Sequence, residues 1–127
     1  MYWLQIIIFT FLFCIATATS IVLLGDRSLI SGKLFSVQKL IFIMLNWKFI
    51  AAIATAIAAR VFFVLINNNL LKIPKMAGSS TTVTVFITTI AYLFVIAANW
   101  LFLGERLSPS QLLGCGIILI GICLVVK

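Results

Sequence analysis

Residues 99–126 read NWLFLGERLSPSQLLGCGIILIGICLVV, and this stretch decides the fold. It holds the end of one apolar helix, a short polar corner and a second apolar helix. The corner is Gly104-Glu105-Arg106-Leu107-Ser108-Pro109-Ser110-Gln111. Ser108 falls at the N-cap, Pro109 at the first helical position and Gln111 at the third. Ser and Gln at that spacing form a capping box, in which each side chain satisfies the other's backbone N–H. Pro at the first position gives up an N–H that has no helical partner anyway. Glu105 takes a structural role in the same corner, capping backbone N–H groups ahead of the last helix or pairing with Arg106. The helix that follows carries Gly114, Gly116 and Gly121, which let another helix approach its backbone closely.

Working outward, the 127 residues are 65% hydrophobic and only 9% charged. A soluble domain carries about 25% charged residues. So much apolar surface cannot be hidden in one small core, so the solvent is lipid. Each apolar run lasts about 20 residues, enough to cross a hydrocarbon core about 30 Å thick as helix. Barrel strands alternate and these runs do not. The expected fold is therefore an all-α membrane protein of four transmembrane helices in one domain, 1–127. The spans fall at about 2–24, 49–66, 78–103 and 112–126, and no internal repeat is visible. A multi-pass protein of the plasma (inner) membrane is expected.

The net charge is +7. The basic residues sit mostly between apolar runs, where they anchor helix ends and meet anionic headgroups, so a nucleic-acid partner is not implied. Cys14, Cys115 and Cys123 lie inside apolar runs and read as small packing residues. There is no His, which removes the usual metal ligand and general base.

Along the chain, Tyr2 and Trp3 suit the membrane interface. Ala16-Thr17-Ala18 imitates a signal-peptidase site, but no Lys or Arg precedes the run and apolar residues continue to Leu24, so the helix is retained. Its segment Ala16 to Ser20 is suited to close packing. The connection 25–48 carries Asp26, Arg27, Lys33, Lys39 and Lys48. Its apolar part is either an interfacial amphipathic helix over 34–45 or an early start of the second span. In the second span, Ala51, Ala52, Thr55, Ala58 and Ala59 make a small-residue face. Arg60 either snorkels towards the interface marked by Asn67, Asn68, Asn69 and Lys72, some 10 Å away, or faces a polar cavity. After a turn at Leu70 to Ala77, Thr81, Thr84, Thr88 and Tyr92 recur at helical spacing, and Asn99 continues that face. These hydroxyls either bond their own helix and glue its neighbours or line a wet cavity.

With four spans both termini share one side. Lys72, Lys75 and Lys127 lie there; Arg27, Lys33, Lys39, Lys48 and Arg106 lie on the other. The positive-inside rule places the termini outside.

Asp26 and Glu105 are the only acids, both near helix ends. No carboxylate pair, His/Cys cluster or phosphate-binding Gly loop is present. Nothing supports catalysis, so no enzyme, cofactor or metal site is expected.

The corner and the last helix together resemble the C-terminal signature of the drug/metabolite transporter superfamily (EamA-like): Gly104-Glu105, Leu107-Ser108, Gln111, then Gly114 and Gly121. The match covers the last third of the chain, and a looser resemblance in length and helix count covers the rest. Four spans in so short a chain resemble the small multidrug resistance branch. The resemblance implies a bundle that works as a dimer, here with Gly114 and Gly121 at the interface. Drug exporters of that branch carry an embedded Glu in the first span. This first span has none, and Cys14 stands near that place. The chain is closer in character to the paired subunits that flip an aminosugar on undecaprenyl phosphate, which lack that Glu and share the Gly-rich last helix.

The expectation is a transporter that flips a polyprenyl-phosphate-linked sugar or other amphipathic anion by alternating access. It would act as a homodimer or with a similar small subunit, among membrane lipid. Arg60 (or Lys72 or Lys75) would meet the phosphate. Thr81, Thr84, Thr88, Tyr92 and Asn99 form the candidate substrate-binding face. The rivals are a small-molecule or multidrug exporter and a non-transporting subunit that scaffolds a lipid-carrier glycosyltransferase.

Overall fold

The computed structural model describes residues 1–31 and 36–126. Lys33, Lys127 and the first two residues of the 34–45 segment lie outside the described residues. Every regular element described is helical. The order is α1 (Tyr2–Leu24), α2 (Arg27–Ile30), α3 (Val37–Leu45), α4 (Trp47–Leu71), a 3₁₀ turn (Ala77–Ser79), α5 (Ser80–Thr89), α6 (Ala91–Ala98), a π-helical turn (Asn99–Leu103) and α7 (Pro109–Val126). Three helical stretches are long and apolar enough to cross a membrane: α1, α4 and Ala77–Leu103. The apolar part of α7, Pro109–Leu124, is shorter.

α1 and α4 form the antiparallel centre. At one end the Lys72 ammonium stands 5.7 Å from the centroid of the Tyr2 ring. Towards the other end, Ser20 Oγ donates to the Ala52 carbonyl at 2.8 Å. Small residues at the seam (Cys14, Ala16, Ala52 and Ala59) are buried, so the two backbones come close and gain dispersion contacts that lipid tails would not supply. Ile6, Ile66 and Leu70 close the seam at the Tyr2 end. Phe9 stacks on Phe62 across it, with centroids 6.4 Å apart. α6 lies on the flank of α1, where Phe11 meets the edge of Phe94 at 5.9 Å.

α4 extends beyond the expected 49–66 at both ends. At its start, Asn46 adopts an extended backbone, and its side chain accepts from the Lys48 N–H at 3.0 Å. That cap separates α3 from α4, so the second span does not begin early. Val37, Leu40, Phe42, Met44 and Leu45 of α3 are exposed. At the far end, Asn67 to Asn69 continue the helix. Asn67 Nδ2 donates to Thr81 Oγ1 at 3.3 Å, and Asn69 and Leu70 are buried. Asparagine paired across helices does not mark a helix end.

The third stretch is jointed. Thr88 Oγ1 donates to the Thr84 and Val85 carbonyls, and Thr89 Oγ1 also donates to Val85. Hydroxyls bonded into the carbonyl ladder bend a helix. Here the Ile90 N–H bonds only three residues back, to Ile87 at 3.3 Å, and α5 ends. The π turn then closes on Gly104, the one described residue with positive φ, at 65°. A side chain there would cost about 1–2 kcal/mol in backbone strain.

The capping box is formed. The Ser108 N–H donates to Gln111 Oε1 at 2.8 Å, and the Gln111 N–H reaches Ser108 Oγ at 3.4 Å. Glu105 does not pair with Arg106. The one ion pair among the described residues joins Lys48 and Asp26. α7 packs against α5, and Leu113, Ile117, Ile118, Ile120 and Leu124 are exposed.

Asp26 also accepts from the Ser28 N–H at 2.9 Å and so caps α2. The Lys48 hydrogen bond, then those from Ser28, hold its carboxyl down from 3.8 to about 2. A carboxyl whose folded pKa is depressed adds stability above its unfolded pKa and loses it as pH falls through the folded one. The melting temperatures of the wild-type chain and Asp26→Asn should therefore differ above pH 3.8 and converge as pH falls to about 2. A gap unchanged across that window would show that the carboxylate charge contributes nothing.

Candidate functional site

A cavity of about 490 Å³ lies between α1, α4 and the α5–α6 joint. α1 contributes Phe13, Thr17 and Ser20; α4 contributes Ala59, Arg60 and Phe63; Thr88 and Tyr92 come from the third stretch. Its depth follows from the helix lengths. Phe13 is eleven residues from either end of α1, Ala59 twelve from either end of α4, and Ile90 thirteen from either end of Ala77–Leu103. Phe13, Ala59 and both neighbours of Ile90 line the cavity. It is therefore level with the middle of all three spans.

Arg60 sits at this level. Because α4 runs from Trp47 to Leu71, the next charged residues along it, Lys48 and Lys72, are both about 18 Å away, and Asn67 to Asn69 continue the helix instead of marking its end. Neither acid is near: Asp26 follows α1 and Glu105 follows the π turn, so no carboxylate lies within a span. The Arg60 side chain is exposed in the single chain, as is Tyr92. The cavity opens between them.

The expected hydroxyl face divides. Thr88 and Tyr92 line the cavity with Arg60. Thr81 instead ties α5 to α4 through Asn67. Thr84 is fully buried and donates to the Ser80 carbonyl at 2.7 Å. Asn99 begins the π turn, about 16 Å along the helix from Thr88. Its carbonyl accepts from the Gly104 and Glu105 N–H groups. Helical spacing puts these residues on one face only while the ladder is regular, and the Ile90 joint interrupts it before Asn99. A Cβ at Gly114 or Gly121 would meet nothing within 4 Å, so neither glycine serves packing inside the chain.

Sequence reasoning left out Thr17, Ser20 and Thr89 of the lining. Ser20 does serve packing, through Ala52. Thr17 does not: its Oγ1 is buried with no hydrogen-bond partner among the described residues. The available signal was a hydroxyl residue within a span, about one turn from its centre. Lys72 and Lys75 lie beyond α4, away from the cavity.

A second hollow, of about 480 Å³, lies on the opposite side of α1, against α6. It is walled by Ile15, Val22, Phe94 and Phe102, and its only hydroxyl, Thr19, bonds the Ile15 carbonyl. Of these two hollows at the level of the apolar helices, the first is the one that offers polar recognition. A guanidinium donates in a planar fork that suits oxyanions.

No protein-family model, curated protein or solved structure matches this chain.

An arginine at the centre of a span opposes insertion by about 2.5–3.5 kcal/mol, whereas leucine favours it. Arg60→Leu should therefore raise the insertion efficiency of the Trp47–Leu71 segment by about 3 kcal/mol in a translocon assay. Equal insertion would show that the side chain reaches an interface.

Proposed function

We propose that the chain is a small multi-pass transporter of the drug/metabolite transporter type in the plasma (inner) membrane, moving an amphipathic anion such as a polyprenyl-phosphate-linked sugar. One observation carries this reading: an arginine without an acidic partner lines a hydroxyl-bearing cavity at the middle of the spans. Keeping such a charge in hydrocarbon is costly, and intramembrane ionisable residues usually mark a substrate path. The sign of the charge selects the substrate. With no carboxylate in a span, a proton-for-cation exchange like that of multidrug exporters has no group to run on. A guanidinium takes a phosphate, Thr88 and Tyr92 take sugar hydroxyls, and the opening between Arg60 and Tyr92 leaves an apolar tail in lipid.

In this reading α7 is the fourth span of a small multidrug resistance-like bundle, and two chains, alike or similar, enclose the path. Alternating access then rocks the paired bundles about the midplane cavity. The open space around Gly114 and Gly121 supports the pairing, since close-packing glycines unused within a chain are free for another.

In proteoliposomes carrying a fluorescent prenyl-phosphate sugar, Arg60→Ala should abolish flipping at unchanged expression, and Arg60→Lys should retain part of it. Normal flipping by Arg60→Ala would remove Arg60 from the path. Gly114→Leu or Gly121→Leu should weaken crosslinking between subunits and leave the chain folded; unchanged crosslinking would place the interface elsewhere.

A further inference from the structure

We infer that the chain holds a phospholipid with a primary ammonium headgroup, phosphatidylethanolamine, with an acyl tail in the apolar hollow between α1 and α6 and the headgroup in a polar hollow at its end. This site is separate from the Arg60 cavity and does not depend on what that cavity carries.

The apolar hollow has the length of one leaflet. On α1 its lining runs from Ile15, two residues past the central Phe13, to Leu23, one residue short of the helix end. On the third stretch it runs from Phe94, four residues past the central Ile90, to Phe102, again one residue short of the end. Each of these segments rises about 12 Å, against about 15 Å for half of a hydrocarbon core. An empty void at this depth would strip its lining of dispersion contacts, and an acyl tail is the filler that the membrane supplies.

The headgroup end has its own chemistry. A third hollow, of about 550 Å³, begins where the apolar one stops, and Phe102, exposed in the single chain, lines both. Its lining includes Arg27 and both acids of the chain, Asp26 and Glu105. Lys48 and Ser28 already engage Asp26. Arg27 and Glu105 take part in no ion pair among the described residues. One guanidinium and one carboxylate left over at a helix end match a zwitterion. The guanidinium suits the phosphodiester, and the carboxylate accepts from the ammonium N–H groups. A choline headgroup has no N–H to donate, and a glycerol headgroup has no positive charge.

The test uses the full chain in dodecyl maltoside micelles with equal amounts of dioleoyl phosphatidylethanolamine, phosphatidylcholine and phosphatidylglycerol. Native mass spectrometry reads the lipid retained per chain. The wild-type chain should retain phosphatidylethanolamine about threefold over the other two, the scale of one exposed ion pair. Glu105→Gln should erase that preference, and Arg106→Gln, outside the lining, should keep it. Ala97→Phe, which fills the apolar hollow, should lower retention of all three lipids. Because Glu105 is exposed, the Glu105→Gln arm stands even where Ala97→Phe does not fold. Equal retention by the wild-type chain, or a preference that survives Glu105→Gln, would overturn the inference. Unchanged retention in Ala97→Phe would overturn the placing of the tail. A wild-type chain that retains no lipid would leave the hollow to a second copy of the chain and likewise overturn the inference.

Discussion

Hydrocarbon does not solvate polar groups, and three helices long and apolar enough to cross a membrane are built in a way that meets that constraint. Backbone groups are satisfied by making every described element helical. Side chains follow the same rule. Most threonine hydroxyls fold back onto their own carbonyls, Ser20 reaches across to Ala52, and Asn67 reaches Thr81. The same bonds shape the backbone. The doubled load on Thr84 and Val85 carbonyls interrupts α5 at Ile90, so the joint falls beside the cavity.

Two groups near the middle of the helices do not obey the rule, Arg60 and Thr17. Both belong to the lining of one cavity, and Arg60 gives its polar chemistry a sign. Elsewhere the charges sit at helix ends, where water and headgroups solvate them. Lys48 with Asp26 and Lys72 over Tyr2 mark the two ends of the α1–α4 pair.

Much of the helical layout was legible in the sequence, because apolar run length and punctuation carry it directly. Ser108, Pro109 and Gln111 placed the start of α7 to the residue. The Asn67–Asn69 run misplaced the end of α4, since composition cannot tell a solvated amide from one paired to Thr81. The cavity was half legible. Thr88, Tyr92 and Arg60 were found by spacing and by charge, but Thr81, Thr84 and Asn99 shared a periodicity that the Ile90 joint breaks. Thr17 was hidden because its neighbours Ala16, Ala18 and Ser20 pack, and a packing segment and a cavity wall use the same small residues.

The tie between Asp26 and Lys48 has a consequence for how the chain tolerates change. With the bases of α1 and α4 pinned there and by Ser20 on Ala52, the relative height of Phe13 and Ala59 is fixed at that end by two separate contacts. The two ties use different residues and different chemistry, a charge pair and a hydroxyl on a carbonyl, so the loss of one leaves the other holding the alignment of the two helices.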